Sequence, residues 1–416
     1  MKGQNIYIIG AGVAGLVAAI ELEKAGYSPV ILEESEGIGG RMKTDEADGF
    51  LLDHGFQVLL TAYPEARKYL DFASLNLKYF EPGAIIFGAK DTFIVSDPLR
   101  NPLKVVNMAF SHVGSFFDKV KMFSLTQELK KKSLDDIFNE PSTPTYQYLK
   151  EYGFTEQIIT NFFKPFFRGI FLEKDLKTSS RMFEFTFKMF SEGMGAIPAN
   201  GMIEIPKMLR QRLHSTEFLF NTKVKAIQGT QIDLENGERI QADRIIIATQ
   251  PDKFMKQLDG QFSPAKSVIT LYFSLHKSFM GRAMLGLIPG ENHLINNLVF
   301  MSDVSSAYSK NGRALLSVSI LATDLKEKEL IKAVQSELEA LSRINAEYFK
   351  FVKSYYINYA IPTVDDVKGT IPFTECKISD QVFLAGDYLL NGSINAAMAS
   401  GRIAAEAVVH SYMPVY

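Results

Sequence analysis

The stretch Gly10-Ala11-Gly12-Val13-Ala14-Gly15 constrains this chain more than any other, because of what flanks it. Residues 5–9, NIYII, are rich in strand formers and end at Gly10; residues 12–25 carry apolar positions at helical spacing; residues 29–33, PVILE, read as a second buried strand. Together they make a βαβ unit. Within it the three glycines serve different ends. Gly10 permits the tight turn, Gly12 lets a diphosphate reach the backbone, and Gly15 lets the helix lie close to the strand. The first helical turn, Ala14 included, aims N–H groups and the positive end of the helix dipole at the same point. Glu33 closes the second strand where an acid binds ribose hydroxyls, which argues against a 2′-phosphate. The pattern predicts a bound dinucleotide without saying which.

A chain of 416 residues exceeds the size at which one hydrophobic core stops growing, so two domains are expected. A net charge of -2 gives no global electrostatic reason to expect nucleic acid as a partner, and Lys130, Lys131 and Lys132 read as a solvated face. The single cysteine, Cys376, excludes an internal disulfide framework and fits a reducing compartment. The first residues run straight into a strand without the pattern of a secretory leader, and no apolar run has the length of a bilayer span. A cytoplasmic location is therefore expected. The six histidines show no HxxxH pairing, so no metal site is expected, and no GxSxG follows a strand.

The far end repeats the opening architecture. VFLAGD (382–387) reads as a strand, and GSINAAMASG (392–401) as a loop and a helix of small residues. Near the front, Gly39-Gly40-Arg41 follows the second strand and could place a guanidinium on a diphosphate. The same glycines also suit a plain solvent loop, and the tripeptide alone leaves both readings open.

Together with DGFLLDHGFQVL (48–59), these segments resemble the FAD-dependent superfamily of flavin amine oxidases, phytoene-type carotenoid desaturases and protoporphyrinogen oxidases. The resemblance implies an α/β fold: a Rossmann-like, doubly wound FAD-binding domain with an interleaved α+β substrate domain. The FAD domain would comprise residues 1–75, 200–255 and 375–416, and the substrate domain 76–199 and 256–374. The first return to the FAD domain reads as a helix and short strands, with Asn236-Gly237 as a hairpin turn. By the same resemblance Val224 contacts the adenine through its backbone and Asp387 binds the ribityl chain. A helix starting near Ile394 would direct its dipole at the isoalloxazine. Cys376 lies nine residues before Ala385, too close to the AGD strand for the family's covalent attachment, so non-covalent FAD is expected. No second GxGxxG unit offers a nicotinamide site, which points to an external electron acceptor, oxygen or a quinone.

The middle of the chain bears on substrate. Aligning SVITLYFSLHKSFM (267–280) on the family's substrate strand puts Thr270 where amine oxidases carry lysine, with Lys266 earlier, and Ser393 falls where their cage aromatic stands. Ten phenylalanines between 154 and 190 read as helical core or as the lining of an apolar pocket. Arg168 and Lys164 interrupt that run and are expected to snorkel to water or to orient a polar end of a substrate. The stretch 103–125, with Lys104, Lys119 and Lys121, reads as a helix that is buried, covers a pocket, or lies in a membrane surface as a peripheral contact. These features imply dehydrogenation of an apolar, isoprenoid- or carotenoid-like molecule by hydride transfer to flavin N5. Amine or porphyrinogen oxidation is the alternative. A protein that retains FAD or carries lipid without turnover is the rival of a different class. No catalytic residue stands out.

Overall fold

The computed structural model describes residues 4–88, 92–96, 114–261, 264–290, 292–321 and 323–413. Its N-terminal part follows from the opening pattern: Ile6–Ile9 is a strand, Val13–Lys24 a helix and Val30–Leu32 a strand paired parallel to the first. Around them grows a five-stranded, all-parallel sheet in the order 217–219, 30–32, 6–9, 244–247, 382–384. Segments more than 200 residues apart in sequence thus become neighbours.

Side-chain alternation explains why both faces of this sheet are covered. Ile6, Ile8, Ile31, Ile246 and Phe383 turn to one core, with Leu16 and Ala404 of the N-terminal and C-terminal helices. Ile9, Leu32, Ile245, Ile247 and Leu384 turn to another, against a three-stranded antiparallel sheet formed by 224–228, 231–234 and 239–241. The turn in that small sheet is the expected one: Gly237 has φ +90° and Asn236 Oδ1 accepts the Glu238 N–H at 3.0 Å.

The second large element is a seven-stranded sheet in the order 350–361, 266–275, 314–321, 295–300, 285–287, 83–87, 92–96. All its pairs are antiparallel except that between Leu285–Leu287 and Gly83–Phe87. Helices Phe116–Lys131, Leu134–Asn139, Thr145–Glu151, Lys164–Phe171 and Ser180–Glu192 belong to the same part of the chain.

Residues 103–113 of the stretch expected to be helical lie outside the described residues. The remainder is buried along one face only. On helix Phe116–Lys131, Phe116 is 65%, Phe117 73% and Phe123 51% exposed, while Leu125 and Leu129 are buried.

Candidate functional site

A cavity of about 1190 Å³ runs between the parallel sheet and the seven-stranded one. Gly10, Gly12, Ala14, Glu33, Gly40, Arg41, Val224, Asp387 and Ile394 all line it, so residues picked from both ends of the sequence and from the middle meet at one place. Gly15 instead lies behind them. A Cβ there would run into the Gly10 carbonyl and the Ala248 side chain, so its glycine sets how closely the helix approaches the first strand.

At the front end the wall is backbone. Gly10 turns at φ +102° and donates its N–H to the Leu32 carbonyl at 2.8 Å. The Gly39 N–H bonds the Ala11 carbonyl at 2.9 Å, and Gly40, at φ +58°, lies so close that a Cβ there would sit 3.2 Å from Gly12 Cα. The first helical turn begins at Gly12 without a side-chain cap and without an acidic residue, and Val13 and Ala14 face the cavity. Its leading N–H groups are therefore available to an anion. Glu33 is buried; its Oε2 accepts the Ala11 N–H at 2.7 Å and its Oε1 the Ser35 N–H at 3.0 Å and hydroxyl at 2.7 Å. Thr222 N–H donates to the Glu33 carbonyl at 2.9 Å, which brings Val224 beside this end.

Further along, Asp387 is buried and accepts from Arg41 Nη2 at 2.6 Å, a pair 346 residues apart in sequence. Arg41 Nη1 also donates to the Ala360 carbonyl at 3.1 Å, and the guanidinium lies 5.4 Å from the centre of the Tyr359 ring. The C-terminal helix begins at Ile394, as the sequence implies, and is capped by Ser393, whose Oγ accepts the Ala396 N–H at 3.0 Å. A Cβ at Gly401 would strike the Ala14 backbone, so the small residues of this helix allow it to cross the N-terminal helix in close contact.

The remaining wall is side chain, and here several expectations change. Of the phenylalanines, Phe166, Phe171 and Phe190 line the cavity, while Phe154, Phe163, Phe167, Phe183 and Phe185 are core; the rings of Phe167 and Phe183 meet at a tilt of 52° with centroids 4.8 Å apart. Thr270 is fully buried, whereas Lys266 and Val268 of the same strand line the cavity. Lys266 Nζ is held by the Phe171 carbonyl at 2.9 Å, Glu173 Oε2 at 2.7 Å and Thr178 Oγ1 at 3.3 Å. Arg168 does not snorkel: it is buried and donates to the Gly290 carbonyl at 3.0 Å. Lys164 Nζ rests 5.5 Å from the Tyr146 ring centre. Cys376 is buried, and burial pushes its thiol up to about 11.

The sequence reading missed His54, which lines the cavity with its Nε2 3.0 Å from Asp45 Oδ1 and its ring 4.5 Å from that of Tyr355. Burial alone would raise the Asp45 pKa, but hydrogen bonds from Lys353, His54 and Tyr355 hold it well below the usual carboxylate range. A carboxylate so held fixes one ring nitrogen and with it the orientation of the imidazole. The histidine stands inside DGFLLDHGFQVL, but its partner Asp45 is defined only by the pairing of strands Thr44–Ala47 and Phe50–Asp53. Among the described residues no cluster of three or more His, Cys, Asp or Glu could hold a metal ion, and no helix is long and apolar enough to cross a membrane.

A family profile described as flavin containing amine oxidoreductase matches residues 13–409. The chain is 26% identical over 173 residues to protoporphyrinogen oxidase 2 of Arabidopsis thaliana, covering 41% of this chain but only 33% of that protein. It is 21% identical to 15-cis-phytoene desaturase of Capsicum annuum, over 99% of this chain and 78% of the desaturase. The crystal structure of an oxidoreductase from Methanosarcina mazei has the same fold, with a TM-score of 0.74 at 15% identity over 98% of this chain and 100% of the other.

Proposed function

Because the chain belongs to the flavin-containing amine oxidoreductase family and is an FAD-dependent oxidoreductase, we propose that the cavity holds FAD non-covalently beside a largely apolar small molecule, which the enzyme dehydrogenates. The observation that carries this reading is the meeting of nine separately chosen residues on one cavity that continues into the wall of Phe166, Phe171 and Phe190. Its volume exceeds the ~300–1,000 Å³ usual for one small ligand, which suits a cofactor and a second molecule together. The residues fit the cofactor: an uncapped helix start for the diphosphate, a close Gly12–Gly40 approach that a Cβ on Gly40 would crowd, and a fixed carboxylate at Glu33 for ribose.

In this reading Arg41 and Asp387 hold the middle of the cofactor, Val224 meets its adenine, and the helix starting at Ile394 points at its ring system. Buried, neutral Cys376 takes no part. Residues 1–75, 200–255 and 375–416 form the cofactor domain, and 76–199 and 256–374 the substrate domain. FAD, when bound, would supply the two-electron acceptor, with oxygen or a quinone as the external one. The chain orients the substrate against the Phe wall, excludes water, and offers His54 as the imidazole that can hold the released proton.

The purified protein should be yellow, and anaerobic mixing with isoprenoid and carotenoid-type lipids should bleach the flavin, while simple amines should not. Bleaching by amines or by protoporphyrinogen alone would move the enzyme to the second reading, which rests on the likeness to the Arabidopsis protein. Flavin that stays oxidised with every candidate would point to a carrier.

A further inference from the structure

Beside the phenylalanines the cavity wall carries a polar row that the sequence pattern did not announce. Asn297 on strand Ile295–Phe300 lies opposite Ser319 on Ala314–Leu321, and Ser319 lies opposite Thr270 on Lys266–Leu275. Directly opposed residues share a face of the sheet, so the three side chains form one line across three strands. Asn297 and Ser319 line the cavity; Asn297 is 3% exposed and Thr270 fully buried.

What marks the row as a ligand contact is its missing partner. Among the described residues the Oδ1 of Asn297 has no hydrogen-bond partner, nor has the hydroxyl of Thr186, which lines the same cavity from helix Ser180–Glu192 and is 2% exposed. Buried polar atoms are nearly always satisfied, and an acceptor left dry costs a measurable share of stability. Two local devices keep Asn297 in place. A β-bulge between Ile295 and Asn297 shifts the register and re-aims the side chain. Opposite it, helix Lys164–Phe171 has Gly169, where any Cβ would collide with the Asn297 carboxamide.

We infer that this wall binds the substrate by a neutral hydroxyl group, with the ligand O–H donating to Asn297 Oδ1 and the Thr186 hydroxyl completing the contact. The substrate is thereby an uncharged, mainly apolar alcohol rather than a bare hydrocarbon or an amine. A hydrocarbon would seal Asn297 Oδ1 away from water without replacing its partner. An ammonium would need a free carboxylate, and Glu173, which follows the Phe-rich helix, is already bonded to Lys266 and to the Thr178 N–H at 2.6 Å. The inference rests on reading the cavity as the substrate site of a flavin dehydrogenase, and it names the substrate class within that reading.

The test is calorimetric titration of the flavin-loaded protein at pH 7 with three probes of one chain length: 1-decanol, decyl methyl ether and decylamine. The alcohol should bind at least about tenfold more tightly than the ether, which keeps the oxygen but lacks the donor, and more tightly than the amine, which is protonated at this pH. In Asn297→Leu the alcohol and ether should come within about threefold of each other. Equal binding of alcohol and ether to the wild type would overturn the inference, with an ordered water then filling the place of the ligand hydroxyl. So would tighter binding of the amine, or an alcohol preference that survives in Asn297→Leu. Should that variant lose its flavin or its fold, the wild-type ratio and the same titration of Thr186→Val decide the matter. A preserved alcohol preference with no flavin reduction by any candidate would overturn the dehydrogenase reading alone.

Discussion

At the end of the cavity near Gly10, Gly39 and Gly40 the wall is main chain held at positive φ, a conformation that glycine adopts most easily, whereas at the end near Phe166, Thr186 and Asn297 it is side chain projecting from helices and a sheet. The first kind of wall is specified within a few consecutive residues and accepts almost no substitution. The second is assembled from strands whose register is set far away in the chain, and single side chains in it can be exchanged for others of similar volume. On the proposed reading, a cofactor met by backbone and a substrate met by side chains would let one redox group serve many substrates.

The largest expected effect separates the two walls directly. Gly15→Val drives a branched side chain into the Gly10 carbonyl and Ala248, and should lower stability by about 3 kcal/mol and abolish flavin retention. Phe190→Leu, on the partly exposed Phe wall, should cost less than about 1.5 kcal/mol and keep the flavin. Denaturant titration and the flavin-to-protein ratio measure both. A greater loss at Phe190 would break the comparison.

Glu33→Gln comes next. Glu33 accepts the Ala11 N–H as well as the Ser35 hydroxyl, so it fixes the turn before it meets any ribose. Losing the charge from a buried hydrogen-bonded acceptor should cost roughly 1.5–3 kcal/mol, felt in both folding and FAD affinity, with FAD binding weakened about tenfold or more. Fluorescence titration of the apoprotein with FAD, set beside its melting curve, would show whether the two losses go together. An intact turn with unchanged affinity would mean that Glu33 meets no ribose.

The difference in material also explains what was legible in the sequence. Gly10, Gly12, Gly40, Glu33 and Ile394 could be picked out because a local pattern demands each of them, and the parallel sheet followed from the βαβ unit. The pairing of Arg41 with Asp387 was hidden, since each was placed by its own motif and nothing in either motif refers to the other. On the substrate side Thr270 was the residue in register with a known strand, yet Lys266, nearer the strand's start, is the one that reaches the cavity. The bulge at Asn297 and the Asp45 partner of His54 depend on strand register, and a one-residue shift there turns a side chain to the other face. The run of phenylalanines gave composition but not orientation: most went to the core.

Lys266→Met sharpens the comparison on the side-chain wall. Removing the ammonium leaves Glu173 with the Thr178 N–H but without its counter-charge, facing a cavity that we propose takes no amine. The variant should fold, and its affinity for decylamine should rise about tenfold, as expected when a partly buried carboxylate gains a cation. Calorimetry of wild type and variant reads this directly. Unchanged amine affinity would show that Glu173 does not face the ligand.

The smallest effect is expected at Cys376, which belongs to neither wall. It is fully buried, its Sγ lies 3.2 Å from the Phe373 carbonyl, and burial raises its thiol to about 11, so at pH 8 only about a thousandth of it is thiolate. Since the thiolate is the nucleophile, native protein should resist iodoacetamide at pH 8 and label only after denaturation, or as the pH climbs toward 11. Cys376→Ser should cost no more than about 1 kcal/mol and leave the flavin spectrum unchanged, because acid precipitation of either protein should release all the flavin into the supernatant. Flavin that stays with the wild-type precipitate but leaves the serine variant would make Cys376 a covalent anchor, and the backbone end of the cavity would then hold its cofactor by more than glycines and hydrogen bonds.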